Sequence, residues 1–174
     1  MSPRSSRTLS HDGNLLGALT LALADRVDEA TSEAAGGSGE VAAALSSLHM
    51  FLGSPSIKLL TQVLGLTPSG AVRLVDRLEH AGLVERSAGN DARSRRVGLT
   101  RKGQAAARAV AAARRDVLEP ALAPLSERDR ARLDELLAKV LIGLKREPGA
   151  ERWTCRLCDL HACGRKEGRC PFTT

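Results

Sequence analysis

Four cysteines, Cys155, Cys158, Cys163 and Cys170, stand near the end of a chain that has no others. Their spacing is C-x2-C-x4-C-x6-C. Two thiolates across an x2 turn make the knuckle that a tetrahedral metal ion accepts, and two more just downstream can close a four-sulfur shell. Gly164 and Gly168 allow tight turns between the later cysteines. Arg156, Arg165, Lys166 and Arg169 favour thiolate over thiol. Zinc is the expected ion; an iron–sulfur cluster would use the same ligands, and a thiol redox switch would use the same residues without a metal. His161 is a spare ligand candidate, expected instead on the knuckle surface. So short a tail cannot fold on a hydrophobic core of its own, and a metal would supply the missing free energy. Trp153 and Phe172 bracket the cluster and are expected to cover it.

A second set of chemically active residues is basic. From Thr67 to Lys102 there are eight arginines and lysines against four aspartates and glutamates. Such a local excess is what neutralising a polyanion requires. Arg73 and Arg77 lie one helical turn apart, with Ser69, Asp76 and His80 on the same side and Ala71, Leu74, Val75 and Leu78 opposite. Thr67 is an N-cap, Pro68 fits the first helical position, and Gly82 is a stop. A helix of this kind suits the major groove, because its N-terminal N–H groups and outward arginines meet phosphates and base edges. Arg93, Arg95 and Arg96 follow in a polar stretch whose tip could enter the narrow minor groove. Asp91 is read as an internal partner that shapes this stretch, since a carboxylate facing phosphate would be repelled. The candidate DNA contacts are therefore Thr67, Ser69, Gly70, Arg73, Arg77, Arg93, Arg95 and Arg96.

Positioning these residues calls for a mainly α chain. Leu16, Leu19, Leu23 and Val27 predict a helix over 14–34, broken by the glycines at 36–39. Further helices are predicted over 40–52, 56–64 and 67–82, then two strands over 83–87 and 93–99. From Thr100 a long helix runs toward 118, where Glu119-Pro120 should end or kink it. Ser126 with Asp129 makes a variant capping box for the last helix. Leu133, Leu136, Leu137, Val140, Leu141 and Leu144 form its stripe, with the spacing of a helix-to-helix seam. A homodimer is expected, with burial inside the same chain as the alternative. Residues 56–99 thus read as short helix, glycine turn, capped basic helix and basic hairpin, the order of a winged helix-turn-helix.

Composition agrees. At 174 residues, 43% hydrophobic and 26% charged, the chain fits one domain plus an appendage. Aromatics are only 2%, so Leu, Val and Ala must build the core. The net charge of +6 favours nucleic acid as partner, and no apolar run reaches the ~18 residues a membrane span needs. Arg4 and Arg7 before the apolar run at 15–24 have the order of a secretory leader, but the helical stripe continues through 25–33, which favours a cytoplasmic chain. No Ser-His-Asp, paired-carboxylate or phosphate-loop arrangement points to an enzyme. The x2 cysteine pair also lacks the βαβ setting of a thiol-disulfide enzyme.

The run over 67–105 resembles the winged-helix core of the MarR family of transcriptional regulators. The resemblance rests on Leu83 to Arg86 after the recognition helix, Asp91 with Arg93 in the wing, and Leu99, Thr100 and Gly103 at the next helix start. The polar residues 1–13 are expected to be disordered, ahead of a domain over 14–146 and a cysteine-rich tail over 147–174. Within the domain the resemblance implies a DNA-binding core over 40–102 and dimerisation helices within 14–35 and 100–146. It further implies a homodimer on double-stranded, pseudo-palindromic DNA with half-sites about one turn apart. Repression relieved by a small-molecule inducer or an oxidant is also implied; a protein-interaction adaptor without DNA binding is the competing reading. Gly70 and Val72 stand where the family commonly has hydroxyl or branched residues, and Ala92 where a second wing arginine is frequent. These departures bear on which operator is read.

Overall fold

Ser10 accepts a hydrogen bond from the Gly13 N–H and starts α1 (His11–Ala35), whose first turn also carries Asp12. The helix begins three residues before the apolar stripe predicted, because the cap and not the stripe sets its start; residues 11–13 are therefore helical rather than disordered. The computed structural model describes residues 8–88, 95–144 and 151–172. α1 lies along α5 (Arg101–Leu122), and α2 (Gly39–Ser47) packs against both. α2 is the centre of the fold, with every residue from Val41 to Leu48 buried.

The sequence predicted one helix through residue 52. Instead the chain widens into a π-helical turn, Leu48–Leu52, closed by Gly53 N–H donating to the Leu48 carbonyl at 3.1 Å. Gly53 then takes φ 62°, a conformation that favours glycine, and leads into Ser54 to Ser56. That stretch joins the sheet edge: the Pro55 carbonyl accepts from Val97 N–H at 3.0 Å, and Ser56 bridges to Arg96.

α3 (Ile57–Leu64) is capped by Ser56 and ended by Gly65; α4 (Pro68–His80) is capped by Thr67, which accepts from Gly70 N–H at 3.1 Å. Antiparallel β1 (Val84–Ala88) and β2 (Arg95–Leu99) pair Val84 with Leu99 and Ala88 with Arg95. Thr100 caps α5 and also donates to the Gly82 carbonyl at 2.7 Å. A Cβ on Gly103 would lie 1.9 Å from the Leu83 carbonyl oxygen, so only glycine lets α5 start this close to the sheet. α5 passes Pro120 and stops two residues later at Leu122. The proline's missing N–H falls in the final turn, where little helix remains to be broken.

α6 (Glu127–Gly143) is started by Ser126, which accepts from Asp129 N–H and donates to its carboxylate at 2.6 Å. No residue of α6 is buried. Two helical turns that the sequence did not predict, α7 (Glu151–Thr154) and α8 (Leu160–Cys163), carry the tail. The core joins Leu45 and Leu48 to Leu60, Leu74, Leu78, Val97 and Val110. Burying one such side chain contributes about 1.5–3 kcal/mol. No helix among the described residues is long and apolar enough to cross a membrane.

Candidate nucleic-acid interface and thiol cluster

α4 presents two faces. Ala71, Leu74, Val75 and Leu78 are buried against the core, while Ser69, Arg73, Asp76, Arg77 and His80 are exposed on the other side. Thr67, with Ser69 at 3.4 Å from its hydroxyl, holds the N-terminal turn, and Gly70 keeps that turn narrow. The exposed N-terminus and the arginines therefore share one surface, as a helix that reads phosphates and base edges needs. Arg77 Nη2 lies 3.4 Å from Glu40 Oε2, with side chains 60% and 54% exposed. An ion pair so open to water contributes little, so Arg77 can exchange Glu40 for a phosphate at small cost.

Arg86 has a different role from the one its charge suggested. Its guanidinium donates to Asp76 Oδ1 at 2.5 Å and Glu79 Oε2 at 2.6 Å, tying β1 to α4. The Asp76 hydrogen bond is the main cause that raises its pKa further, against partial burial. The clamp also neutralises two carboxylates of the recognition helix, which leaves Arg73 and Arg77 to set the local potential. Sequence spacing gave no sign of this, since the partners lie seven and ten residues away across a turn. Arg96 likewise is fastened, its Nε donating to the Ser54 carbonyl at 2.7 Å, so it ties β2 to the segment after the π turn. Arg95 is exposed at the start of β2. Asp91 and Arg93 lie outside the described residues.

The tail brings its cysteines into two neighbouring pairs. Cys158 N–H donates to the Cys155 carbonyl at 2.9 Å, which forms the knuckle, and the two thiols share a hydrogen bond. Cys163 is hydrogen-bonded to Cys170 across a loop where Gly164 and Gly168 take φ 62° and 71°. The hydrogen bond from Cys155 lowers Cys158 to about 6, with Arg114 and Arg156 adding to it against burial. Cys155 is correspondingly pushed up, first by that hydrogen bond and then by burial. Burial, then the bond to Cys170, raises Cys163 to about 11. One thiolate at neutral pH, flanked by three more sulfurs, can act as a nucleophile or begin a metal shell. Among the described residues no group of three or more His, Cys, Asp or Glu side chains is yet gathered around a common metal position. His161 is exposed on the surface of α8.

Cys155, Cys158 and Cys163 face a cavity of about 780 Å³ that is also lined by Met50, Phe51 and Leu52 of the π turn and by Phe172. Trp153 does not cover the sulfurs as expected. Its ring instead rests on Gly65, 3.2 Å from where a Cβ would stand, with the Arg156 guanidinium 3.6 Å from the ring centroid. The bare glycine backbone is the flat surface that an indole can meet, and no sequence pattern announces such a pairing. A second cavity, about 680 Å³, lies between Asp28, Glu40, Arg77, Trp153 and Arg156.

Residues 38–94 match the model of the MarR family. Among solved structures, YusO of Bacillus subtilis is 25% identical with a TM-score of 0.66, the alignment covering 79% of this chain and 98% of that one. MepR, a transcription regulator of the Staphylococcus aureus multidrug efflux pump MepA, is 18% identical with a TM-score of 0.66, over 78% and 99% of the two chains. Sco3205, a MarR family transcriptional regulator from Streptomyces coelicolor solved in complex with DNA, is 23% identical with a TM-score of 0.60, over 80% and 96%. No curated protein matches the sequence. Residues 38–94 are thus similar to the MarR family, and the chain has the fold of these solved structures.

Proposed function

We propose that the protein is a cytoplasmic, homodimeric, sequence-specific DNA-binding transcriptional repressor with a zinc-holding tail. The observation that carries this reading is the outer face of α4, where a capped N-terminus, Arg73 and Arg77 share one exposed surface beside the hairpin. In this reading Thr67, Ser69 and Gly70 place the helix N-terminus on a phosphate, Arg73 and Arg77 enter the major groove, and Arg95 follows the hairpin toward the minor groove. Arg93 is a further contact in this reading and Asp91 its internal partner, both outside the described residues, while Arg96 fastens the second strand to Ser54. The DNA complex of Sco3205 supports the same use of the fold.

The exposed apolar residues supply the dimer. Leu15, Leu16 and Leu19 of α1, Leu136, Leu137 and Val140 of α6, and Leu144 just after it stay open to solvent in the single chain, which supports covering by a second copy. Cys155, Cys158, Cys163 and Cys170 would hold zinc once the two pairs draw together, and a four-thiolate iron–sulfur cluster is the chemical alternative. Oxidation acts on the same atoms: two electrons and two protons leave the Cys155–Cys158 thiols for a peroxide, which becomes two waters, and the disulfide no longer offers thiolates. A small inducer would fit the cavity beside Arg77 and Trp153. Selection of genomic fragments on the purified chain, followed by footprinting, tests the proposal. Retained fragments should share two half-sites with centres about 10 base pairs apart. Retention of no fragment at low salt would leave the adaptor reading in its place.

A further inference from the structure

One short stretch of the tail reaches three separate elements of the fold. The Arg156 carbonyl accepts from the buried Ser47 hydroxyl of α2 at 3.1 Å, and Leu157 packs on the hydrophobic core. The Trp153 ring lies on Gly65, the left-handed residue (φ 63°) that ends α3 and begins the turn toward Thr67 and α4. Arg156 holds that ring in place, Nη1 donating to the Trp153 carbonyl at 2.8 Å with the guanidinium 3.6 Å from the ring centroid. Asp28 of α1 lines the same cavity as Trp153, Arg156 and Arg77. Its Oδ1 stands 2.2 Å from where a Cβ on Gly39 would be, so the bare first residue of α2 makes room for this carboxylate. Burial lowers the Arg156 pKa, and the Asp28 charge opposes that pull, which links the tail to α1 as well. None of these contacts uses a sulfur atom.

We propose that Trp153 and Arg156 are positioning residues for DNA recognition: by linking α1 and α2 to the turn before α4, they fix the angle at which the recognition helix is carried, and so the half-site spacing that a dimer reads. This rests on the reading of α4 as the DNA-binding helix and of α1 as part of the dimer interface. In a two-fold dimer the second α4 repeats the angle of the first, so any freedom at the turn is felt at both half-sites. One base pair inserted between half-sites moves one of them by about 3.4 Å and rotates it by about a tenth of a turn. That displacement exceeds the reach of a hydrogen bond, about 3 Å, so a dimer of fixed angle rejects it while one free to rock can follow. Freedom also weakens binding to the correct spacing, because the angle must then be ordered on the DNA. A flat indole suits the role, offering a large rigid contact with only two side-chain torsions to hold. Sites coupled through such contacts commonly differ about 5- to 150-fold in affinity, and a single aromatic seat suggests about tenfold.

The test uses the full chain, purified under reducing conditions, and three labelled duplexes at constant salt. The first is a selected operator, the second the same operator with one base pair inserted between its half-sites, and the third the operator with one half-site scrambled. Wild type should prefer the operator to the inserted duplex. In Trp153→Ala, operator affinity should fall about tenfold while affinity for the single half-site stays as in wild type, so the preference between spacings narrows. Trp153→Phe keeps a flat ring for Gly65 and should restore most of the preference. Arg156→Met keeps the carbonyl that accepts from Ser47 but loses the guanidinium, and should narrow the preference as well. A Trp153→Ala protein with the spacing preference of wild type overturns the proposal. An equal loss on the operator and on the single half-site overturns it too, since Trp153 would then only keep the reading unit folded. A wild-type chain that binds no duplex, or binds both spacings alike, removes the dimeric DNA-reading assignment and the positioning role with it, so the two failures are distinguishable.

Discussion

Replacing Leu136 and Val140 together by alanine should take the dimer apart while leaving each chain folded. The two residues are one helical turn apart on α6 and are 50% and 39% exposed in the single chain. Full burial of such a side chain contributes about 1.5–3 kcal/mol, so covering the half that remains open contributes about 1 kcal/mol each. A two-fold interface uses every residue twice, which brings the loss to about 4 kcal/mol, or about a thousandfold in the dimer dissociation constant. Because no residue of α6 is fully buried, each chain loses little of its own packing and helical circular dichroism per chain should be unchanged. Sedimentation equilibrium over a range of concentrations reads the constant directly. An unchanged constant, or a wild-type chain that is monomeric at its highest soluble concentration, would refute the assignment of α1 and α6 to the interface.

Other outcomes follow from single contacts. Arg86→Ala removes both hydrogen bonds between β1 and α4 and should lower the urea midpoint, and a variant as stable as wild type would show that the clamp to Asp76 and Glu79 carries nothing. Gly103→Ala forces a methyl toward the Leu83 carbonyl and should destabilise the chain by about 1–3 kcal/mol in urea unfolding; a neutral result would mean that α5 can shift at no cost. Alkylation of the reduced, metal-free protein should begin at Cys158 and rise with pH around a midpoint near 6, because its thiolate persists above that value. A midpoint near the ordinary thiol value of about 8.5 would contradict the hydrogen bond from Cys155.

Much of the fold was legible because it is written locally. Thr67 with Pro68, Thr100 with Gly103, and Ser126 with Asp129 are caps whose chemistry is complete within four residues, and each opens a helix where expected. The two faces of α4 follow from its 3.6-residue period alone. What sequence could not show are contacts between distant segments. Arg86 counted as free charge until its strand placed it against α4, and Arg96 looked like a tip residue although it braces Ser54. Trp153 resting on Gly65 joins residues 88 positions apart, and neither has a neighbour that marks the pairing. The π turn was hidden too, since Leu48 to Leu52 has the composition of an ordinary helix.

The most direct single test is the salt dependence of duplex binding for wild type and Arg73→Ala, measured by fluorescence anisotropy on a selected operator. Each phosphate neutralised contributes about 0.9 to the slope of log affinity against log salt. Wild type should therefore weaken steeply as salt rises, and Arg73→Ala should bind less tightly with a slope lower by about one. A wild-type affinity that ignores salt, or an Arg73→Ala protein that matches wild type in both affinity and slope, would contradict the placing of the DNA interface on the outer face of α4.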